Sequence, residues 1–366
     1  MNLLFIIHIK DQNIGGSKIS GIDAANRMAK NGHTVYLMAD KYNYAVKSLV
    51  IPNVQIIHFK YSKFWIVKKT CLIFIFLFKK RFDKIITLDR QSAYISSINS
   101  YLFNIPIIPI IPGGGMDQLP KEPLKVPTIV FSEENRDNLI KFFNWDKSLI
   151  KVLPARIDID KFSFSNIRHR SNRIAFISRI SESKKASFIH FINEVKSNYK
   201  LLDLFSFDIV GDGDAQIEWS DISRNNNLSL NFIGAKVITS DFLKQYDLVI
   251  GQGRVILESI SSGIPCSICG ENGYFGLVTP DNFDLVKLTN FTGRSVVEFS
   301  SLIYDLDIIY TLNNNYFTLL KNYVLKNYDI ALLISEIDTN PGFIVNFNNL
   351  MLSFKSLMMN MVYGKK

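Results

Sequence analysis

Three stretches set glycines or cations where an apolar run gives way to a helix, an arrangement that suits an anion. The first, "IKDQNIGGSKISGIDAANRMAKNGHTV", carries a strand into Gly15 and Gly16 and then a helix. Unpaired amides and the helix dipole concentrate positive potential there. The G-x-G-x-x-G fingerprint is missing, which argues against a nicotinamide dinucleotide. Glycines that merely permit a sharp turn account for this stretch equally well.

The second, "AFISRISESKKASFIHFINEV", sends Arg179 off the end of a strand and places Lys184 and Lys185 near the start of the next helix. A planar guanidinium fork beside a mobile ammonium suits a diphosphate. A solvated basic turn is the plainer alternative. The third, "GQGRVILESISSG", follows the run Leu248, Val249, Ile250. Gly251 and Gly253 let backbone approach a ligand, the amides around Arg254 and Val255 point at phosphate, and Glu258 one turn on can accept both ribose hydroxyls. A helix acid favoured by the dipole would also explain Glu258.

The elements that must position these turns follow one pattern: a short apolar run, a polar turn, an amphipathic segment. That is the signature of parallel strands joined by crossover helices. Strands are expected at 3–9, 34–38, 54–58, 84–88, 107–111 and 128–131, with helices at 19–31 and 136–143. After the polar, basic "FSFSNIRHRSNR", a second series has strands at 174–177, 207–210, 229–233 and 248–250 and helices at 186–196 and 240–246. The expected class is α/β with two doubly wound, Rossmann-like domains. Their expected bounds are 1–165 and 166–345, with a tail helix at 346–366 crossing back.

A chain of 366 residues is long enough for two such domains, and 47% hydrophobic residues exclude disorder over most of it. Net charge is +9, which favours an anionic partner. Three cysteines give no disulfide framework, and the apolar start lacks a basic leader and a cleavage site, so a reducing, cytoplasmic setting is expected.

In order and content these segments resemble the retaining GT-B glycosyltransferases of family 4, which include sucrose-synthase-like enzymes and mannosyltransferases. "GIDAANRMAKNGHTVYLM" is similar to that family's first helix and Gly-His turn, and "KVLPARIDIDKF" to its P-N-G-V-D-x-x-x-F interdomain segment. "SRISESKKA" resembles G-R-L-x-x-x-K-G, which puts Arg179 and Lys184 on the diphosphate as catalytic cations. "FDIVGDGD" resembles I-V-G-D-G-P, and "LNFIGAKVITSDFLKQYDLVI" resembles F-L-G-x-V with its helix and strand, so Gly211, Gly234 and Val237 join the donor site. "GRVILESISSGIP" resembles the helix ending E-A-M-A-x-G-x-P, with Glu258 as the ribose acid.

The resemblance implies two domains facing across a cleft, the acceptor domain first and the donor domain second. Family members carry E-G-F-G-x-x-x-x-E, but Ile250 stands where the first acid belongs, "GQGR" replaces the usual loop, and Lys185 replaces the glycine of K-G. A loop histidine of the first domain is replaced by "IPGGGMDQ", where Gly113 to Gly115 shape the cleft and Gly114 joins Gly15 and Gly16 as an acceptor or phosphate loop.

The expected reaction moves a sugar from a nucleoside diphosphate sugar, a UDP-sugar by preference, to a hydroxyl of a lipid-linked glycan in cell-surface polysaccharide synthesis. No metal and no other cofactor is expected, since two cations hold the diphosphate. A non-catalytic nucleotide-sugar-binding subunit fits the missing acid. A nucleotide-sugar epimerase on the same fold would need acids and histidines beside the phosphates. No nucleic-acid partner is expected, for want of a basic face with stacking aromatics.

Three further signals stand in the sequence. "DID" at Asp158 and Asp160 is the D-x-D triplet of metal-dependent transferases of another fold, but it falls between the domains. Cys266 and Cys269 have redox or zinc spacing without a second pair and read as core. "KFWIVKKTCLIFIFLFKKRF" holds an apolar run too short to span a bilayer, which takes about 20 residues. Lys68, Lys69, Lys79, Lys80 and Arg81 flank it, as in an interfacial helix on the anionic inner face of the cell membrane. A buried helix of the first domain is equally compatible.

Overall fold

The computed structural model describes residues 1–7, 15–39, 48–58, 81–113, 124–164, 170–294 and 300–351. The chain forms two units, Met1–Arg156 with the chain from Ile330 onward, and Ile157–Asp329.

The first unit runs β1 (Asn2–Ile7), α1 (Gly16–Lys30), β2 (Thr34–Ala39), β3 (Val54–His58), β4 (Lys84–Thr87), α2 (Arg90–Phe103), β5 (Ile107–Ile111), β6 (Thr128–Val130), α3 (Glu133–Phe143) and β7 (Ile150–Val152). Its described strands pair in the order β3-β2-β1-β4-β5-β6-β7, all parallel. Leu3, Phe5 and Ile7 face one layer of core while Leu4 and Ile6 face the other. A strand covered on both faces has no need of polar alternation, which is why β1 reads as an unbroken apolar run.

The second unit runs β8 (Arg173–Ile177), α4 (Lys185–Ser197), α5 (Lys200–Leu204), β9 (Ser206–Val210), α6 (Gln216–Asn225), β10 (Asn231–Gly234), α7 (Ser240–Leu243), β11 (Leu248–Gly251), α8 (Arg254–Ser262), β12 (Cys266–Gly270), β13 (Gly273–Leu277), α9 (Phe283–Leu288), α10 (Leu302–Ile309) and α11 (Asn314–Tyr328). Strand order is β10-β9-β8-β11-β12-β13, parallel except for β13, which runs antiparallel to β12. Phe188 and Phe191 of α4 pack on one side of this sheet, and Ile256, Leu257 and Ile260 of α8 on the other.

Two boundaries differ from expectation. The chain changes unit at Arg156/Ile157 rather than near 165, because Ile157, Ile159 and Phe162 belong to the core around β11 and α8, and the Ile157 amide donates to Tyr328 O at 3.0 Å. It returns at Ile330 rather than 346. There α12 (Ile330–Thr339) lays Ile330, Leu333, Ile334 and Ile337 against the α1 layer. Buried Lys84 fixes the end of α12 by donating to the carbonyls of Ile337, Asp338 and Asn340 at 2.7, 3.0 and 2.7 Å. A cation there satisfies carbonyls that a helix end leaves unpaired. Of the expected tail helix only 346–351 lie among the described residues.

Candidate functional site

Ligands of doubly wound sheets bind outside the carboxyl ends of the strands, where the strand order reverses. In the second unit that point lies between β8 and β11, since the chain builds outward from β8 to β9 and β10, then from β11 to β12. The loops that leave this edge are 178–184 after β8, 211–215 after β9 and 252–253 after β11.

Two glycines hold the first loop against the second. A Cβ on Gly211 would stand 1.9 Å from Ser178 O, and one on Gly213 would stand 1.7 Å from Ile180 O. Backbone hydrogen bonds lock the same contact, with Ser178 N–H on Val210 O at 3.0 Å and Ile180 N–H on Asp212 O at 2.9 Å. The Gly211 amide donates to Gly234 O at 3.0 Å, tying the end of β10 to the same edge. No side chain fits between these backbones, so the position of Arg179 and Lys184 depends on glycines in the loop of the neighbouring strand β9.

Arg179 is exposed and its guanidinium touches only Ser183 Oγ, at 3.4 Å, among the described residues. Lys184 is half-buried, and its ammonium donates to Gln252 Oε1 at 2.6 Å. Burial, reinforced by Arg294 and Arg179 and opposed by Glu271, pushes the Lys184 ammonium down to about 8. Its neighbour Lys185 turns away to an ion pair with Glu218 on α6. One lysine of the "KK" pair thus faces the edge and the other is bound to an acid.

The turn into α8 is built tightly as well. A Cβ on Gly251 would meet Ile177 O at 2.8 Å and Val255 Cγ1 at 2.7 Å. Gly253 has φ +70° and donates its amide to Phe291 O at 2.8 Å. Asn290 and Phe291 both occupy the left-handed region, with φ of 60° and 58°. For a buried phenylalanine that is strained backbone, of the kind that clusters at ligand clamps. Asn290 Oδ1 is buried without a hydrogen-bond partner among the described residues.

Glu258 does not stand open at this turn. Arg254 Nε donates to Glu258 Oε1 at 2.6 Å, and both side chains are 7% exposed. The pair spans one helical turn inside the core-facing side of α8. Val255 is buried beside it, whereas Val237 is exposed on the loop after β10. Arg179, Lys184, Gly211, Gly234, Gly251, Gly253 and Arg254 therefore gather at one edge, and Val237 lies at its margin.

Gly15 and Gly16 open α1 at the corresponding edge of the first sheet, with Gly15 as N-cap. Lys18 there faces Asp89 at 3.4 Å, and Asp89 caps α2 through the Ser92 amide at 2.8 Å. Gly114, Lys68, Lys69, Lys79 and Lys80 lie outside the described residues, while Arg81 is exposed and its carbonyl accepts from Asn2 Nδ2 at 3.0 Å. Cys266 and Cys269 fall in opposite core layers of β12, which separates their thiols. Asp158 is buried and Asp160 exposed, so the D-x-D triplet does not offer two carboxylates to one point. Among the described residues no group of three or more His, Cys, Asp or Glu could hold a metal, and no helix is long and apolar enough to cross a membrane.

Sequence reasoning passed over Gln252 and Ser187. The signal for Gln252 was its place between Gly251 and Gly253, where a side chain with both a donor and an acceptor can reach two loops. Glu271, which acts on the charge of Lys184, lies in the turn between β12 and β13 with no pattern to mark it.

No family model and no curated protein matches the sequence. Solved structures match it over nearly its full length. The chain is similar to Anabaena HepE in complex with UDP and glucose, with a TM-score of 0.66 and 15% identity over 92% of this chain and 98% of that one. It is similar to a glycosyltransferase from Rickettsia africae, at 0.64 and 15% over 98% and 99%, and to WaaG, a glycosyltransferase involved in lipopolysaccharide biosynthesis, at 0.61 and 12% over 92% and 100%. At such identities the likeness establishes the fold, which is the two-domain α/β GT-B fold of these glycosyltransferases.

Proposed function

We propose that the protein is a retaining glycosyltransferase that takes its sugar from a UDP-sugar. The observation that carries this reading is the placement of Arg179 and Lys184 on loops held by tight glycine turns at the switch point of the second sheet. It is an edge built for a diphosphate on a fold that HepE uses to hold UDP and glucose. As the bond from the sugar's C1 to the diphosphate oxygen breaks, negative charge gathers on the leaving diphosphate. Arg179 and Lys184 stabilise that charge more than they stabilise the ground state, so their binding energy lowers the barrier. The glycine contacts fix both cations before the substrate arrives, which avoids reorganisation during the reaction.

The acceptor we propose is a lipid-linked glycan at the inner face of the membrane, in polysaccharide synthesis. WaaG's part in lipopolysaccharide biosynthesis and the basic stretch at 63–82 support this. Two cations on the diphosphate make a metal unnecessary in this scheme, and full turnover in chelator is expected. The test is release of UDP from UDP-sugars with membrane glycolipid as acceptor. Turnover of one donor, lost in Arg179→Ala, supports the reading; no turnover of any donor contradicts it.

One observation favours a second reading, a non-catalytic nucleotide-sugar-binding subunit. Ile250, where family 4 enzymes carry an acid, is fully buried in the core. UDP binding without turnover of any UDP-sugar would select it.

A further inference from the structure

Lys184 offers three N–H donors and no acceptor, while the carbonyl of Cys269 on β12 is an acceptor alone. Between them stands Gln252. Its Oε1 accepts from Lys184 Nζ at 2.6 Å, and its Nε2 donates to Cys269 O at 3.2 Å and to Ser187 Oγ at 2.9 Å. The Ser187 hydroxyl donates in turn to Cys269 O, so its lone pairs face the glutamine amide. Ser187 and Cys269 are both fully buried, and this floor cannot turn to suit another partner.

The chemistry fixes the amide one way round. Reversed, its NH₂ would face an ammonium and its oxygen a carbonyl. Neither a hydrocarbon nor a carboxylate could bridge the two groups: the first leaves both ends unmet, and the second repels Cys269 O and cancels the charge of Lys184. An amide holds the ammonium in place and leaves its charge intact.

That charge needs holding. Among the described residues Arg179 and Arg294 repel it and only Glu271 attracts it, so without a fixed acceptor the lysine would swing toward solvent. We propose that Gln252 is a positioning residue that presents the Lys184 ammonium to the donor's diphosphate. This rests on the donor-site reading of the edge. It also gives a role to the shortened "GQGR" turn, in which glutamine stands between two glycines that neither fill the space nor compete for the lysine.

The test is the pH dependence of UDP binding, measured by calorimetry between pH 7 and 10 on the full chain. Wild type is expected to bind UDP and to lose affinity as Lys184 deprotonates, with a bend near pH 8. Gln252→Met keeps the length but removes the acceptor, so the bend should move to lower pH and affinity at pH 7 should fall about tenfold, the loss of one charge-assisted hydrogen bond. Gln252→Glu places a carboxylate on the ammonium, so the bend should move to higher pH.

Opposite movements of the bend support the proposal, since a merely structural role would not reverse with the charge of the replacement. Should the Met variant not fold, the alkaline movement in the Glu variant decides alone. A bend that stays put in the folded variants, with UDP still bound, overturns the role of Gln252 and leaves the donor site standing. Wild type that binds no UDP overturns the donor-site reading itself.

Discussion

The two sheets share the order of their first five strands, all parallel, and treat the same edge in different ways. In the first, the helix after β1 brings Lys18 to Asp89, and that acid also caps α2 through Ser92. The cation is matched by a carboxylate and the acid is spent on helix capping. In the second, Arg179 and Lys184 form no ion pair among the described residues, and Lys184 rests on a neutral amide. Topology brings loops to both edges, and among the described residues Arg179 and Lys184 stand without a carboxylate partner while Lys18 has one.

Breaking one ion pair at each edge should show the largest difference. Arg254–Glu258 is buried at 7% exposure on both sides and 2.6 Å long, while Lys18–Asp89 is 3.4 Å long at 21% and 18%. Arg254→Met removes the guanidinium from a buried carboxylate and is expected to cost about 3–5 kcal/mol in urea denaturation. Lys18→Met should cost about 1 kcal/mol or less. Equal losses would mean that the two edges are built alike.

Glycines sharpen the contrast next. Gly213→Ala drives a methyl into Ile180 O and should cost about 3 kcal/mol while displacing the loop that carries Arg179. A Cβ on Gly15 meets nothing within 4 Å, so Gly15→Ala should cost about 1 kcal/mol at most through its poorer N-cap. Arg179→Ala is expected to lower turnover about 10²-fold, the effect of removing one preorganised donor.

A pH-dependent effect follows from Lys184. Its ammonium lies near 8 when folded and at the ordinary 10.5 when unfolded, so between these values the unfolded chain holds more protons. Stability of the wild type relative to Lys184→Met should therefore rise as pH climbs from about 8 to 10.5, read by denaturation at each pH. A flat difference would mean that the folded ammonium is not depressed.

Much of this architecture was legible because strands covered on both faces leave continuous apolar runs: β1, β2, β3 and β5 fall where their residues place them. The helix α2 was hidden by its own chemistry. Ser92, Ser96, Ser97, Asn99 and Ser100 are all buried along it, and small polar residues erase the apolar period that marks a helix. The return to the first unit at Ile330 was equally hidden, since "IALLISEI" looks the same whichever core receives it.

At the site, the glycines and the two cations were legible from turn chemistry. The partners were not. Nothing local says that Glu258 takes Arg254, that Lys185 takes Glu218, or that Lys184 takes Gln252, because these choices are made by residues that the sheet brings together from distant points of the chain.

The most direct measurement is calorimetric titration of UDP, GDP and ADP, in chelator, into the wild type and into Arg179→Ala, Lys184→Ala and Lys18→Ala. The account predicts that UDP binds, that the first two variants lose it, and that Lys18→Ala keeps it. Binding of no nucleotide, or UDP binding indifferent to Arg179 and Lys184, would contradict it.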